Sequence, residues 1–214
     1  MSVGDDMVRD VLSHAPGHPL RVAIDGVTAS GKSTCARWLV DAVAAHGRPS
    51  LHVTMDGFHH RRAHRYRQGR ASALGYYRDA YDFDALRTHV LIPLGPDGSG
   101  EIRRRIIDLA SDEPVEDPPE PVPTDAIVVV DGTFLHRPPL PDCWDYTVFV
   151  DTPMELARAR GVARDADALG GTEAAGRAFD QRYHAACRIY LDEVGPRERA
   201  TRVLPGIDSL LSIE

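Results

Sequence analysis

The stretch Gly26-Val-Thr-Ala-Ser-Gly31-Lys32-Ser33 has the residue types and spacing that binding a chain of phosphates requires. Its glycines let the backbone turn tightly, so several N–H groups point inward at phosphate oxygens. A helix starting near Ser33 adds its positive end to the same point. Lysine reaches the β- and γ-phosphates as a compact charge on a flexible stem, whereas arginine's planar fork prefers bidentate partners. The chain holds 25 lysines and arginines, of which 24 are arginine and one, Lys32, is lysine. A general preference for arginine explains the lysines that are missing and not the one that is kept. Gly26, Thr28, Ala29, Ser30, Gly31, Lys32, Ser33 and Thr34 are therefore read as an ATP-binding loop.

Two carboxylates complete a candidate reaction centre. Asp131 ends the apolar run Ala126-Ile-Val-Val-Val, and an acid at the tip of a central strand can hold Mg²⁺ directly or through water. Ser33 Oγ offers the same hard ion a second oxygen. Asp56 follows the run Ser50-Leu-His-Val-Thr-Met, which places it at the carboxyl edge of a sheet, where open α/β folds bind ligands. An ionised carboxylate there can take the proton of a hydroxyl attacking the γ-phosphoryl group. Taken alone, either aspartate is an ordinary turn former before glycine; the phosphate loop gives both their weight. Guanine-reading NKxD motifs are excluded, because the single lysine is already in the loop, and no LSGGQ-like transporter signature is present.

Positively charged groups surround this centre in the sequence. Residues 59–70 contain five arginines and three histidines, read either as an anion-binding flap over the acceptor or as a solvated basic loop. His59 and Arg61 are the members placed to face the site, since they follow Asp56 closely. His59 and His60 do not suggest a metal pair, as adjacent side chains diverge and no third ligand is evident. Arg158, Arg160 and Arg164 lie on one predicted helix, with 160 and 164 on a shared face. Arg160 and Arg164 could neutralise the transferring group when a lid closes. Tyr183 and Tyr190 read as core, and Arg103–Arg105 as a strand edge facing water.

The elements that must position these residues follow from hydrophobic periodicity. Strands are expected at 18–25, 50–55, 126–131, 146–151 and 201–204. Helices are expected at 5–14, 33–47, 82–94, 153–165 and 173–194, and a strand or hairpin arm at 101–110. The proline-rich, acidic stretch 111–125 reads as a surface loop. Strands alternating with helices imply an α/β fold, a doubly wound and mostly parallel sheet flanked by helices, and the phosphate loop within it points to a P-loop NTPase fold. A chain of 214 residues is expected to form one domain, 1–214, with an acceptor-side flap at 59–112 and a lid at 158–178. A net charge of -7 argues against nucleic-acid or membrane-surface partners. Three widely spaced cysteines and an N-terminus without an apolar signal segment fit a cytoplasmic protein with free thiols.

With these residues in view, the chain resembles the phosphoribulokinase/uridine kinase family. The matching pieces are GVTASGKST, MDGFHH, DAYDFDAL (79–86), VVVDGTFL (128–135) and VDTPMELARARGVARD (150–165), and the tail from Arg182 has a similar layout. The resemblance implies a cytoplasmic ATP- and Mg²⁺-dependent kinase acting on a hydroxyl of a small metabolite, with a nucleoside or related acceptor. By it, Lys32 binds ATP, Ser33 and Asp131 hold Mg²⁺, Asp56 is the base and Arg164 a lid arginine, while Phe58, His59, Arg61 and Tyr76 fall on the acceptor side. Tyr76 stands where uridine kinases have a ribose-binding aspartate. Ile107-Asp108-Leu109 and Asp112 replace their pyrimidine-reading stretch, and two lid arginines fall near Leu169 and Gly171. The other class of function these residues fit is a nucleotide-binding regulatory protein with weak or no kinase activity. The implied partner is a small-molecule substrate, with self-association into a homo-oligomer left open.

Overall fold

Continuous valine and isoleucine runs can be satisfied only by strands covered on both faces, and the chain builds its sheet from them. The computed structural model describes residues 2–211. Five strands, β1 (Leu20–Gly26), β2 (Ser50–Thr54), β3 (Ile127–Asp131), β4 (Tyr146–Val150) and β5 (Arg202–Leu204), form one sheet in the order β2-β3-β1-β4-β5. All neighbours are parallel. The register sets Ile24 beside Asp131, Thr54 beside Asp131, and Gly26 beside Val150. The ends of four strands thus meet at one edge, and the phosphate loop leaves β1 between them.

Alternation along β1 assigns its side chains to two cores. Leu20, Val22 and Ile24 pack with Met7, Val11, Leu39 and Val43 from α1 (Val3–Ser13) and α2 (Lys32–Ala45). Ala23 faces the opposite layer, with Val128, Val130, Phe134 and Tyr190. That layer includes α3 (Ala73–Asp79), and Tyr76, Tyr77 and Tyr190 set their rings edge-on around Phe134 at 5.6, 5.2 and 5.1 Å. Each fully buried large side chain contributes roughly 1.5–3 kcal/mol. α1 begins in a capping box, with Ser2 Oγ accepting from the Asp5 amide and Asp5 accepting from the Ser2 amide.

Five departures from the expected elements bear on the site. The helix expected at 173–194 is three pieces: α5 (Thr172–Ala178), a wide π turn over Phe179–Tyr183, and α6 (His184–Val194). The helix expected at 82–94 likewise runs from a short α segment, Phe83–Leu86, into a π turn over Arg87–Leu91. The basic stretch holds one helical turn, Arg62–Arg65. The arm at 101–110 is two stubs, Glu101–Ile102 and Ile107–Asp108, which pair antiparallel with Glu120–Pro121 and Glu113–Pro114. The acidic stretch is therefore tied to the 101–110 arm instead of being a free loop. Last, α4 (Met154–Leu169) runs past the expected end at 165 and stops at Gly170 and Gly171, both in the left-handed region.

Cys35, Cys143 and Cys187 are free and buried, and burial pushes the Cys35 thiol up to about 12. Among the described residues, no helix is long and apolar enough to cross a membrane.

Candidate active site

The phosphate loop gets its shape from backbone conformations few residues adopt. Ala29 and Gly31 have φ of 66° and 97°. A side chain at Gly26 would put its Cβ 2.6 Å from Ser30 Oγ and 2.8 Å from the Val150 carbonyl, so only glycine fits. The Gly26 amide donates to Asp25 Oδ1 at 2.7 Å, and Thr152 Oγ1 donates to the Ser30 carbonyl at 2.8 Å. Asp25 is itself fully buried and accepts from His136 Nδ1 at 2.8 Å and from the Tyr190 hydroxyl. Gly31 caps α2, and Lys32 is the first residue of that helix.

Lys32 folds back over the loop and donates from Nζ to the Val27 carbonyl at 2.8 Å. Burial pushes its ammonium below the ordinary lysine range, with Cys187, Asp131, Asp25 and Asp56 opposing that shift. Ser33 Oγ donates to Asp131 Oδ2 at 2.5 Å, and His52 Nε2 lies 2.7 Å from Asp131 Oδ1. Burial works against the Asp131 charge, yet the bonds from His52 and Ser33 and the field of Lys32 outweigh it and hold the carboxyl below the usual range. Asp56 sits in a 3₁₀ turn, Met55–Phe58, immediately after β2, with its amide donating to Thr54 Oγ1 at 3.3 Å.

These groups share one cleft of about 350 Å³ at the carboxyl edge of the sheet. Thr28, Ala29, Lys32 and Ser33 line one side, Asp56, His59 and Tyr76 another, with Asp131 and Arg164 also in the wall. Burial lowers the His59 imidazole below its ordinary value, against the pull of Asp56; the nearby Arg65 and Arg182 add to the lowering. Its ring packs against that of Tyr81, tilted by 49° with centroids 4.3 Å apart.

Three expected contacts are elsewhere. Phe58 is fully buried in the core, because the 3₁₀ turn aims it inward. Arg61 is exposed and faces Glu113 at 3.6 Å. Arg160 points away from the cleft to Asp208, at 2.7 Å, while Arg164, one helical turn on, lines it with Asp165 beside it. Tyr183, read as core, is half-buried and in the cleft wall; Tyr190 is core, as read.

The residues that sequence reasoning missed are His52, Arg65, Tyr66, Tyr81, Asp165 and Arg182. All but His52 line the cleft directly. His52 lay in view as a polar residue within an apolar strand, two positions before Thr54. Nothing local separates Arg65 or Arg182 from the other arginines.

A model of the phosphoribulokinase/uridine kinase family matches residues 22–185, which takes in the loop, both carboxylates, α4 and Arg182. The chain belongs to the phosphoribulokinase/uridine kinase family. It is, with that family, an ATP-dependent small-molecule kinase. A uridine kinase of Leuconostoc citreum (strain KM20) is 24% identical over 208 residues, covering 92% of each chain. Among solved structures, a possible uridine kinase from Bacillus stearothermophilus superposes with a TM-score of 0.73 at 22% identity, covering 94% of this chain and 96% of that one. A proposed fructose transport system kinase from Silicibacter sp. TM1040 gives 0.75 at 22% identity, with 96% and 100% covered. These likenesses fix the P-loop kinase fold. On that fold, Tyr76 is in the cleft with its hydroxyl 3.1 Å from that of Tyr81, and Leu109 closes part of the wall.

Proposed function

We propose that this family member transfers the γ-phosphoryl group of ATP to a hydroxyl of a small metabolite in the cleft between the phosphate loop and Asp56. The observation that carries this reading is the shared wall: Lys32 and Ser33 of α2, Asp56, Asp131 and Arg164 come from four separate elements and line one cavity.

The residues present fit a magnesium–triphosphate. Ser30 Oγ is buried inside the loop without a hydrogen-bond partner among the described residues, as expected of a group waiting for an oxyanion. The loop excludes a Cβ at Gly26 and turns through Ala29 and Gly31, which leaves room for phosphate against backbone amides. Ser33 Oγ and the Asp131 carboxylate are hard oxygen donors and would hold Mg²⁺, which when bound supplies charge neutralisation for the triphosphate.

The chain's own residues then have separate tasks. Lys32 Nζ exchanges its bond to Val27 for phosphate oxygens. Asp56 accepts the proton of the acceptor hydroxyl as its oxygen bonds to the γ-phosphorus and the bond to the ADP oxygen breaks. Arg164 offsets charge on the transferred group. In this reading segment 59–112 serves as the acceptor flap and 158–178 as the lid of a single domain.

ADP release from ATP–Mg²⁺ against a panel of hydroxyl compounds tests the proposal. Release should depend on one acceptor class, and Asp56→Asn should lower kcat about 10²–10⁴-fold with ATP affinity nearly unchanged. Release indifferent to every acceptor, or full activity in Asp56→Asn, refutes it and favours a regulatory nucleotide binder.

A further inference from the structure

Arg182 is out of place as a structural residue. It is only 6% exposed, yet it pairs with no carboxylate among the described residues. Its Nη1 donates to the Arg70 carbonyl at 2.7 Å, and its guanidinium lies over Tyr66, Tyr76 and Tyr183 at 5.0, 5.1 and 5.9 Å. Carbonyls and ring faces orient a cation without cancelling its charge, and a buried charge without a counter-ion is costly. The π turn over Phe179–Tyr183 presents Arg182 and Tyr183 together in the cleft wall. Arg65, 5% exposed, lines the same wall and is ion-paired with Asp112 at 3.4 Å, so among the wall's arginines Arg182 is the one without a carboxylate partner of this kind among the described residues.

Position decides which anion these cations serve. The carbonyl and two of the three rings that hold Arg182 belong to residues 66–76 of the acceptor flap. Arg65 is in that flap as well, where it donates to the His60 carbonyl at 3.4 Å. Both act on His59, three residues from Asp56. The triphosphate loop already has its own cation, Lys32.

We infer that Arg182, assisted by Arg65, receives an anionic group carried by the acceptor itself, so that the substrate is a hydroxyl compound already bearing a phosphate or carboxylate and not a neutral nucleoside. This deepens the kinase reading and rests on it. The same chemistry, two or three oxygens taking charged N–H donors, serves a phosphate monoester or a carboxylate.

The first arm of the test is a set of paired acceptors, each neutral compound beside its phosphorylated or carboxylated counterpart (ribose and ribose 5-phosphate, glycerol and glycerate). The anionic member should give at least tenfold higher kcat/KM, a phosphate preference naming one source and a carboxylate preference the other. Arg182→Gln should raise the KM of the anionic acceptor tenfold or more and leave the KM of ATP within threefold; Arg182→Lys should fall between. The second arm saturates the loop with a non-hydrolysable ATP analogue and Mg²⁺ and titrates inorganic phosphate by calorimetry. Uptake by wild type that Arg182→Gln loses supports the inference. A preferred neutral acceptor, an effect of Arg182→Gln confined to ATP, or phosphate uptake absent or equal in both proteins overturns it. The kinase reading fails separately, when the analogue is not bound or no acceptor elicits ADP, and the inference about the acceptor falls with it.

Discussion

His52 shows how a residue outside the cleft wall can govern one inside it. Asp131 has four lone-pair sites, and in this structure Ser33 and His52 occupy one on each oxygen, at 2.5 and 2.7 Å. The imidazole fixes the carboxylate's orientation and stabilises its charged form against burial, a supporting role that metal ligands commonly require. His52→Ala leaves Ser33 and Asp131 in place but frees the carboxylate to rotate. The concentration of Mg²⁺ giving half-maximal ADP release is expected to rise about 10–100-fold, with kcat at saturating Mg²⁺ reduced far less. A titration of Mg²⁺ at fixed ATP checks this; an unchanged midpoint removes His52 from the metal-supporting role. The contrast with Asp56 is informative, because as the proposed base Asp56 would act on the acceptor hydroxyl and its loss should fall on kcat.

At the scale of elements, two contacts hold the segments around the site against one another. In α4, a Cβ at Gly161 would run into the Phe179 ring and come within 3.0 Å of Ala29 Cβ in the phosphate loop. Gly161→Ala therefore overpacks the seam between lid helix, π turn and loop, and should cost about 1–3 kcal/mol in chemical denaturation while also weakening ATP binding. The second contact ties the basic segment to α3: Asp79, at its C-terminal end, accepts from Arg67 Nη2 at 2.5 Å and Gln68 Nε2 at 2.6 Å. Burial opposes the Asp79 charge, but those two bonds prevail and its carboxyl stays below the usual range. A depressed carboxyl contributes stability above its unfolded value, near 3.9, that is lost as pH falls through the folded value. Asp79→Asn should thus lower the melting temperature at pH 7, by roughly 1–3 kcal/mol of stability, with the deficit shrinking below about pH 4. Melts of both proteins at pH 7 and 3.5 measure it; a deficit that grows on acidification contradicts the assignment. These elements also mark how much the sequence could tell. The loop, Asp56 and Asp131 were readable because each follows an apolar strand directly, so local pattern and catalytic position coincide. Phe58, Arg61 and Arg160 were misplaced because their directions depend on a 3₁₀ turn, a paired stub and helix phase. Arg182 was hidden by the π turn, which lies inside what periodicity reads as one continuous helix.

For the whole molecule, the nucleotide is expected to act as a structural tie. The cleft takes its wall from the loop after β1, from the turn after β2, from the end of β3, from α4 and from the π turn, segments that lie up to 155 residues apart along the chain between Thr28 and Tyr183. Several charges facing it are held by weak or internal partners, notably Lys32 on the Val27 carbonyl and Arg182 on the Arg70 carbonyl. Only the folded chain assembles this wall, so a bound nucleotide stabilises the fold by mass action. At one hundred times its dissociation constant the gain is about 2.7 kcal/mol, which for a chain of this size raises the melting temperature by roughly 5–10 °C. Wild type should show that shift with a non-hydrolysable ATP analogue and Mg²⁺. Lys32→Ala should show little of it at the same concentration while keeping a melting curve of its own. The control separates ligand recognition from general stability, since the variant's unliganded melt reports the cost of losing a buried side chain. A wild type indifferent to the nucleotide, or a variant that gains as much as wild type, would mean that the loop and its lysine do not hold the triphosphate, and the assignments of Ser33, Asp131 and Asp56 built around them would fall with it.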